Sequence, residues 1–253
     1  MEAWSPLGLV LLAVAGVLAG FVNTLAGGGS LVTLPALLLL GLPADVANAT
    51  NRVSVLAQSM VAARGLAGGE RLPGSHVAWI VVPSLAGSLV GAWVAARLPA
   101  SVLKPVLVGT LFVIAILMLW KPEALVPASG AEPRDPRGRP LAVLGLFAIG
   151  AYGGFLQAGV GIFLLLFLSG ALHYDLVLGN ALKAMLVAAL TAVALAVFVV
   201  EDKVWWLPGL MLSVTSVIGA QLGVRFALRG GQDAIRKVVF VAVVASCIAA
   251  ALR

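Results

Sequence analysis

Charged residues are scarce in this chain of 253 residues: they make up 10% of it, whereas a soluble domain carries about 25%. Hydrophobic residues make up 62%, and the mean hydropathy is +1.12. So few charges cannot cover a globule with groups that water solvates, which excludes a soluble fold and makes lipid the expected solvent. The single cysteine, Cys247, excludes an intrachain disulfide, and two histidines are too few for a transition-metal pathway.

The sequence motifs of common enzyme classes are missing as well. The chain contains no G-x-S-x-G elbow, no H-E-x-x-H pair, no Walker A loop and no cluster of carboxylates. We therefore expect neither catalysis nor a bound cofactor. The net charge of +6 comes from Lys and Arg in short loops and not from one basic face, which excludes nucleic-acid binding.

Charge-poor stretches divide the chain into two halves, 1–120 and 141–253, joined by a polar linker at 121–140 that we expect on the cytoplasmic side. About 20 apolar residues are needed to cross the hydrocarbon, and one segment in each half is too short. Each short segment follows a glycine cluster, which predicts a broken or re-entrant helix there. The ten segments are 5–25, 31–42, 46–64, 76–96, 102–120, 141–157, 161–172, 176–200, 204–225 and 234–252.

The two halves repeat each other. Ala26-Gly27-x-Gly29 aligns with Ala158-Gly159-x-Gly161, and Asn48-Ala49 with Asn180-Ala181, both at an offset of 132. If all ten segments alternate sides, ten loop Lys and Arg lie on one side and four on the other, whereas eight spans give eight against six. The positive-inside rule favours the first count. The predicted fold class is an all-α polytopic membrane protein of two inverted repeats, with about five hydrophobic segments in each.

Polar residues deep in apolar segments are expensive in lipid, so they mark candidate sites. A first group surrounds the triple glycine, where a helix ends and its successor points a positive N-terminal end at the break. Backbone groups freed by the break must meet protein, water or a ligand, and we favour an anionic substrate there. Close glycine packing between helices is the alternative interpretation. The group comprises Asn23, Thr24, Gly27, Gly28, Gly29 and Ser30.

A second group begins nineteen residues after the first glycine cluster. Asn48, Asn51 and Arg52 share one helical face, at i, i+3 and i+4, and Thr50 lies between them. In the second half, Asn180 and Lys183 repeat the i, i+3 spacing. Gln157, Gly159 and Gly161, at the second glycine cluster, complete the candidate substrate site.

The two basic residues of this group admit three interpretations. A buried Arg52 or Lys183 without a carboxylate partner favours an anion. Asp45 and Asp175 lie seven or eight residues upstream and are alternative partners in an ion pair. Snorkelling of the long side chains to the headgroups is the third interpretation.

These motifs resemble a known family. Residues 20–30 (GFVNTLAGGGS), Leu34-Pro35, Gly41 and Asn48-Ala-Thr-Asn51 are similar to the first-half signature of the sulfite exporter TauE/SafE family. Gly159-x-Gly161 and Gly179-Asn180-Ala-x-Lys183 are similar to its second-half signature, with Val160 where the first cluster has Gly28. The resemblance covers nearly the whole chain. It implies export or uptake of sulfur-containing or organic anions such as sulfite, sulfoacetate, sulfonates and thiosulfate.

Residues and resemblance together predict a secondary transporter in a bacterial inner membrane, with a small anion bound at mid-membrane between the repeats. Its expected partners are that anion, membrane lipid and a coupling ion, either proton or sodium. The alternative is an anion channel with a permanent aqueous pathway. An intramembrane enzyme or an assembly factor is a third class, with no nucleophile–base pair to support it. The sequence leaves the anion, the direction of transport and the oligomeric state open.

Overall fold

The computed structural model describes residues 6–66, 74–120 and 134–251, and the side chains within 6–66, 77–110 and 134–229. Over these ranges the chain is helical apart from short connections and contains no strand, which confirms the all-α class. Most of the predicted linker, 121–133, lies outside the described residues. The helices are α1 (Pro6–Ala26), α2 (Ser30–Leu39), α3 (Ala44–Leu66), α4 (Gly74–Arg97), α5 (Ala100–Trp120), α6 (Pro140–Phe155), α7 (Val160–Leu166, continued by a π-helical stretch, Phe167–Ala171), α8 (Leu176–Val200) and α9 (Trp206–Ala251).

Several helices have the length and apolarity that a lipid bilayer requires. Within the described ranges, four helical segments can cross a membrane: Pro6–Ala26, Val77–Arg97, Leu176–Val200 and Trp206–Arg229. On α1 a stripe of Leu7, Leu11, Val14 and Leu18 is more than half exposed, at the i, i+4, i+7, i+11 spacing of one helical face. Such a stripe is stable against acyl chains and not against water.

Helix α9 differs from the prediction. The sequence separates a segment at 204–225 from one at 234–252, but the structure has a single helix of 46 residues from Trp206 to Ala251. The separation relied on the charged residues between two charge-free stretches, 204–224 and 238–252, and Gly230-Gly231 lies among those charges. Glycine inside a helix costs only about 1 kcal/mol relative to alanine and does not by itself end the helix. The predicted loop between these two segments is therefore wrong.

Both glycine clusters interrupt the helical chain. α1 ends at Ala26 and α2 begins at Ser30, while α6 ends at Phe155 and α7 begins at Val160. Gly27 and Gly159 have φ of +81° and +68°, in the left-handed region that side chains disfavour. We name residues 27–29 the first break and residues 156–159 the second break.

The backbone of the first break touches the start of α7, directly after the second break. A Cβ atom added to Gly27 would lie 2.4 Å from the carbonyl carbon of Gly161, and one added to Gly161 would lie 2.6 Å from the Cα of Gly27. Two backbones can approach this closely only where both residues are glycine and have no Cβ atom. This approach brings the C-terminal ends of α1 and α6 into one region of the core.

An equivalent contact between two helices occurs beside each break. Gly91 of α4 lies against the backbone of Ala151 and Phe155 in α6, and Gly219 of α9 lies against Val17 and Phe21 in α1. The first helix of each half therefore packs on the fourth helix of the other.

Helices α3 and α8 pack against each other in opposite directions. Ala49 shares a buried cluster with Ala194, and Ala62, further along α3, shares one with Ala184. Because α3 and α8 are the third helices of their halves, corresponding parts of the two halves run antiparallel here.

Candidate functional site

Arg52 is fully buried and donates hydrogen bonds to the C-terminal end of α6. Its Nη1 atom donates to the Gly153 carbonyl and to Oε1 of Gln157, both at 2.9 Å, and its Nη2 atom donates to the Gly154 carbonyl at 2.6 Å. The guanidinium carbon lies 4.8 Å from the ring centre of Phe198, a cation–π distance. The last four carbonyls of a helix lack partners within it, and Arg52 satisfies two of them.

Lys183 does the same at the end of α1. Its Nζ atom donates to the carbonyls of Asn23, at 2.9 Å, and Thr24, at 3.1 Å, and its side chain is 1% exposed. An ammonium has three N–H groups, and the third finds no acceptor among the residues that the structure describes. The third helix of each half thus supplies a cation to the broken first helix of the other half. We call Arg52 and Lys183 the capping cations.

The ion-pair interpretation of these two cations is wrong. Asp45 instead pairs with Lys203, with Nζ and Oδ2 2.8 Å apart, and Asp175 accepts from the amides of Val177 and Leu178 at the start of α8. The snorkelling interpretation is wrong too, because both side chains end at carbonyls in the core.

The charges of this region do not balance. Each helix C-terminus carries roughly half a negative charge, so two ends offset about one of the two full positive charges. No carboxylate contacts either capping cation within the described part of the chain. The surplus favours an anion. The same residues contain no group of three or more His, Cys, Asp or Glu side chains suited to a metal ion.

Asn51 ties α3 to the first turn of α2. Its Nδ2 atom donates to Oγ of Ser30 at 3.0 Å, and its Oδ1 atom accepts from Oγ1 of Thr33. The restarted helix is therefore fixed on its N-terminal side by protein side chains. Asn48 has a related role at the second break, where its Nδ2 atom donates to the Phe155 carbonyl at 2.9 Å.

Two further polar pairs correspond between the halves. Asn23 donates to Oγ of Ser59 at 3.5 Å, and Gln157 accepts from Oγ1 of Thr191 at 3.4 Å. Ser59 and Thr191 are not among the site residues predicted from the sequence. They are separated by the offset of 132 that relates Asn48 to Asn180, so extending the repeat alignment along α3 and α8 would have found them.

The three glycines of the first break are not equivalent. Gly27 meets Gly161, and a Cβ on Gly29 would lie 2.5 Å from the Ala19 carbonyl oxygen. A Cβ on Gly28 would meet only the side chains of Ile162 and Leu31 at 3.4 Å and Val22 at 3.8 Å, which are ordinary contacts.

Comparison with known proteins identifies the family. The family model described as Sulfite exporter TauE/SafE matches residues 12–250, nearly the entire chain. The chain belongs to the sulfite exporter TauE/SafE family. The resemblance seen in the glycine and Ala-Thr-Asn motifs is confirmed.

The curated relatives of this TauE/SafE chain are named as transporters. It is 30% identical to the probable membrane transporter protein YfcA of Escherichia coli (strain K12) over 239 residues, which cover 94% of the chain and 87% of the relative. It is 29% identical to the probable membrane transporter protein ORF9 of Sinorhizobium sp over 244 residues, covering 95% and 91%. No solved structure matches. Family, relatives and spanning helices establish a multi-pass membrane protein.

Most of the predicted site residues of this TauE/SafE chain form polar or close backbone contacts at the breaks, and three, Thr50, Gly28 and Asn180, do not. Thr50 accepts from the backbone amide of Trp205 in the α8–α9 connection, and Gly28 faces apolar side chains. The residues at or beside the breaks are Asn23, Thr24, Gly27, Gly29, Ser30, Asn48, Asn51, Arg52, Gln157, Gly159, Gly161 and Lys183. Asn180 is buried one turn before Lys183.

Proposed function

We propose that the chain is a secondary transporter of small sulfur-containing or organic anions, of the sulfite, sulfonate or thiosulfate class. The observation that carries this proposal is the pair of capping cations, Arg52 and Lys183, buried without a carboxylate among the described residues. Uncompensated positive charge in a low-dielectric core attracts an anion far more strongly than the same charge at a surface. The family name, which specifies sulfite export, supports this substrate class, and the names of the relatives support transport.

The substrate binds between the two halves, 1–120 and 141–253, which act as inverted repeats joined by the linker at 121–140. The duplicated contacts of Gly91 and Gly219 and the opposite directions of α3 and α8 support this arrangement. In inverted-repeat transporters, broken helices supply the site at the level where the repeats meet. The contact of Gly27 with Gly161 lies at that level and supports alternating access over a permanently open pathway.

Flux through proteoliposomes tests the class of protein. Sulfite, thiosulfate and small sulfonates are offered as labelled or assayed substrates to the purified full chain in anionic-lipid vesicles. A transporter gives saturable uptake and counterflow. Current that grows linearly with concentration, without counterflow, would identify a channel, and chemical conversion of the substrate would identify an enzyme.

Lys183→Gln is expected to weaken anion binding by about one to two orders of magnitude, because a hydrogen bond to a charged group contributes about 1.5–3 kcal/mol. Lys183→Arg retains part of the affinity, since it keeps the charge. The dissociation constant of the transported anion, measured by calorimetry on the two variants, checks this. An unchanged constant for Lys183→Gln in a stable protein would assign Lys183 to capping α1 alone.

A further inference from the structure

Two buried amide side chains have unmet hydrogen-bonding groups. Gln58 on α3 is 1% exposed and Asn180 on α8 is 0% exposed. Among the described residues, neither the amide nitrogen nor the amide oxygen of either side chain has a partner. Buried polar groups are nearly always satisfied by protein, water or ligand, so four unmet groups in one side chain of α3 and one of α8 need an explanation.

Asn180 lies on the same helical face as Lys183, and Gln58 lies near the level of Lys183 on the antiparallel helix. Asn180 precedes Lys183 by one helical turn and shares its face of α8. Because α3 and α8 run antiparallel, with Ala62 and Ala184 in one buried cluster, Gln58 lies close to the level of Lys183.

Asn23 links the same groups from the end of α1. Its carbonyl accepts from Nζ of Lys183 at 2.9 Å, and its side chain donates to Ser59, the neighbour of Gln58 on α3. We name Gln58, Asn180 and Lys183 the amide–lysine cluster. It lies where α1 ends at the first break.

The second break has no equivalent of this cluster. The position that corresponds to Gln58, at the offset of 132, is Leu190, a buried apolar residue of α8. Asn48, which corresponds to Asn180, donates to the carbonyl of Phe155, although its Oδ1 atom and the Nε atom of Arg52 have no partner among the described residues. What distinguishes the first break is a pair of amide side chains in which all four polar groups are unmet.

We propose that the amide–lysine cluster recognises the transported anion, and that this anion carries a hydrogen-bond donor of its own. The proposal rests on the transport function proposed above. The ammonium and the two amide NH2 groups donate to oxyanion oxygens, whereas the amide oxygens of Gln58 and Asn180 can only accept. An oxyanion without an O–H or N–H group would leave both oxygens unmet. The ligand class is a small oxyanion that also bears a hydroxyl, an acid proton or an amino group.

A matched pair of sulfonates tests this directly. Isethionate and propane-1-sulfonate have the same charge and nearly the same size, and differ by a hydroxyl in place of a methyl group. The wild-type full chain in detergent is expected to bind isethionate about tenfold more tightly, because the methyl analogue leaves buried acceptors unpaired. Isothermal titration calorimetry measures both constants.

Single substitutions test which residues cause the preference for isethionate over propane-1-sulfonate. Gln58→Leu introduces the residue found at the corresponding position of the second half, Leu190. It should weaken both sulfonates by removing an N–H donor, and it should weaken isethionate more, so that the preference falls to about twofold. Asn180→Ala should reduce the preference in the same way, which keeps the test decisive if one variant does not fold. Met60→Leu is the matched control: Met60 lies two residues along α3 with its side chain 41% exposed, and its variant should keep the wild-type ratio.

The outcomes separate this inference from the transport proposal. Equal binding of the two sulfonates by the wild type overturns the inference and leaves anion transport standing. An unchanged preference in both Gln58→Leu and Asn180→Ala overturns the assignment to the cluster. Absence of binding and of flux for every anion offered removes the transport proposal, and this inference with it.

Discussion

Replacing Arg52 with glutamine is expected to abolish transport and to lower the apparent melting temperature of the purified protein by about 10 °C. The guanidinium satisfies the carbonyls of Gly153 and Gly154 and the side chain of Gln157. A buried acceptor left unmet costs about 1–3 kcal/mol, so losing these bonds costs several kcal/mol in sum. The end of α6 would also lose the charge that compensates its dipole. Proteoliposome flux and a thermal melt in detergent measure the two effects.

Two other arginine variants sharpen this prediction. Arg97→Gln removes an exposed ion pair with Glu201, of 2.9 Å, and should cost at most about 1 kcal/mol. Arg52→Lys keeps a charge but loses the planar fork that reaches several acceptors at once, so an intermediate melting temperature is expected. If Arg52→Gln melts and transports like Arg97→Gln, the three hydrogen bonds do not stabilise α6.

The positions of the two breaks could be predicted from the sequence because glycine has a local signature. Three consecutive glycines after Ala26, and Gly159-x-Gly161 in the second half, mark places where side chains are excluded. The structure adds the reason for two of them: Gly27 and Gly159 have positive φ. The sequence could not show that Gly27 meets Gly161, since nothing local encodes a contact across more than a hundred residues.

The partners of the capping cations could not be predicted for a different reason. Arg52 and Lys183 bind backbone carbonyls, and every residue has a carbonyl, so no side chain marks the partner. Asp45 and Asp175 were attractive alternatives because carboxylates are visible in a sequence. Which carbonyls are free depends on where α1 and α6 end, and that is known only once the breaks are placed.

The boundary predicted within α9 relied on composition in the same way. The charged residues between the charge-free stretches 204–224 and 238–252, with Gly230-Gly231 among them, indicate a loop when the sequence is considered alone. Whether glycine ends a helix depends on whether the chain must turn there, which tertiary structure decides. The triple glycine and this pair therefore have similar sequence signals and different outcomes.

Gly27→Ala is the second variant for which we expect loss of transport. Its Cβ would lie 2.4 Å from the backbone of Gly161, and neither backbone can rotate aside as a side chain could. Left-handed φ adds about 1–2 kcal/mol of strain for a residue with a side chain, and overpacking adds about 1–3 kcal/mol. The two breaks would be forced apart, and with them the ends of α1 and α6 that hold the capping cations. Flux in proteoliposomes, compared at equal reconstituted protein, is the measurement.

Alanine variants of Gly161 and Gly28 separate the two causes of this effect, close backbone approach and strain from the positive φ. Gly161→Ala meets the same contact, 2.6 Å from the Cα of Gly27, without a positive φ, so it isolates the cost of close approach. Gly28→Ala places its Cβ in ordinary contact with Ile162 and Leu31, and we expect near wild-type flux from it. If Gly28→Ala is as inactive as Gly27→Ala, the contact between the breaks is not the cause. If Gly161→Ala transports normally while Gly27→Ala does not, backbone strain at Gly27 is the cause and the breaks tolerate separation.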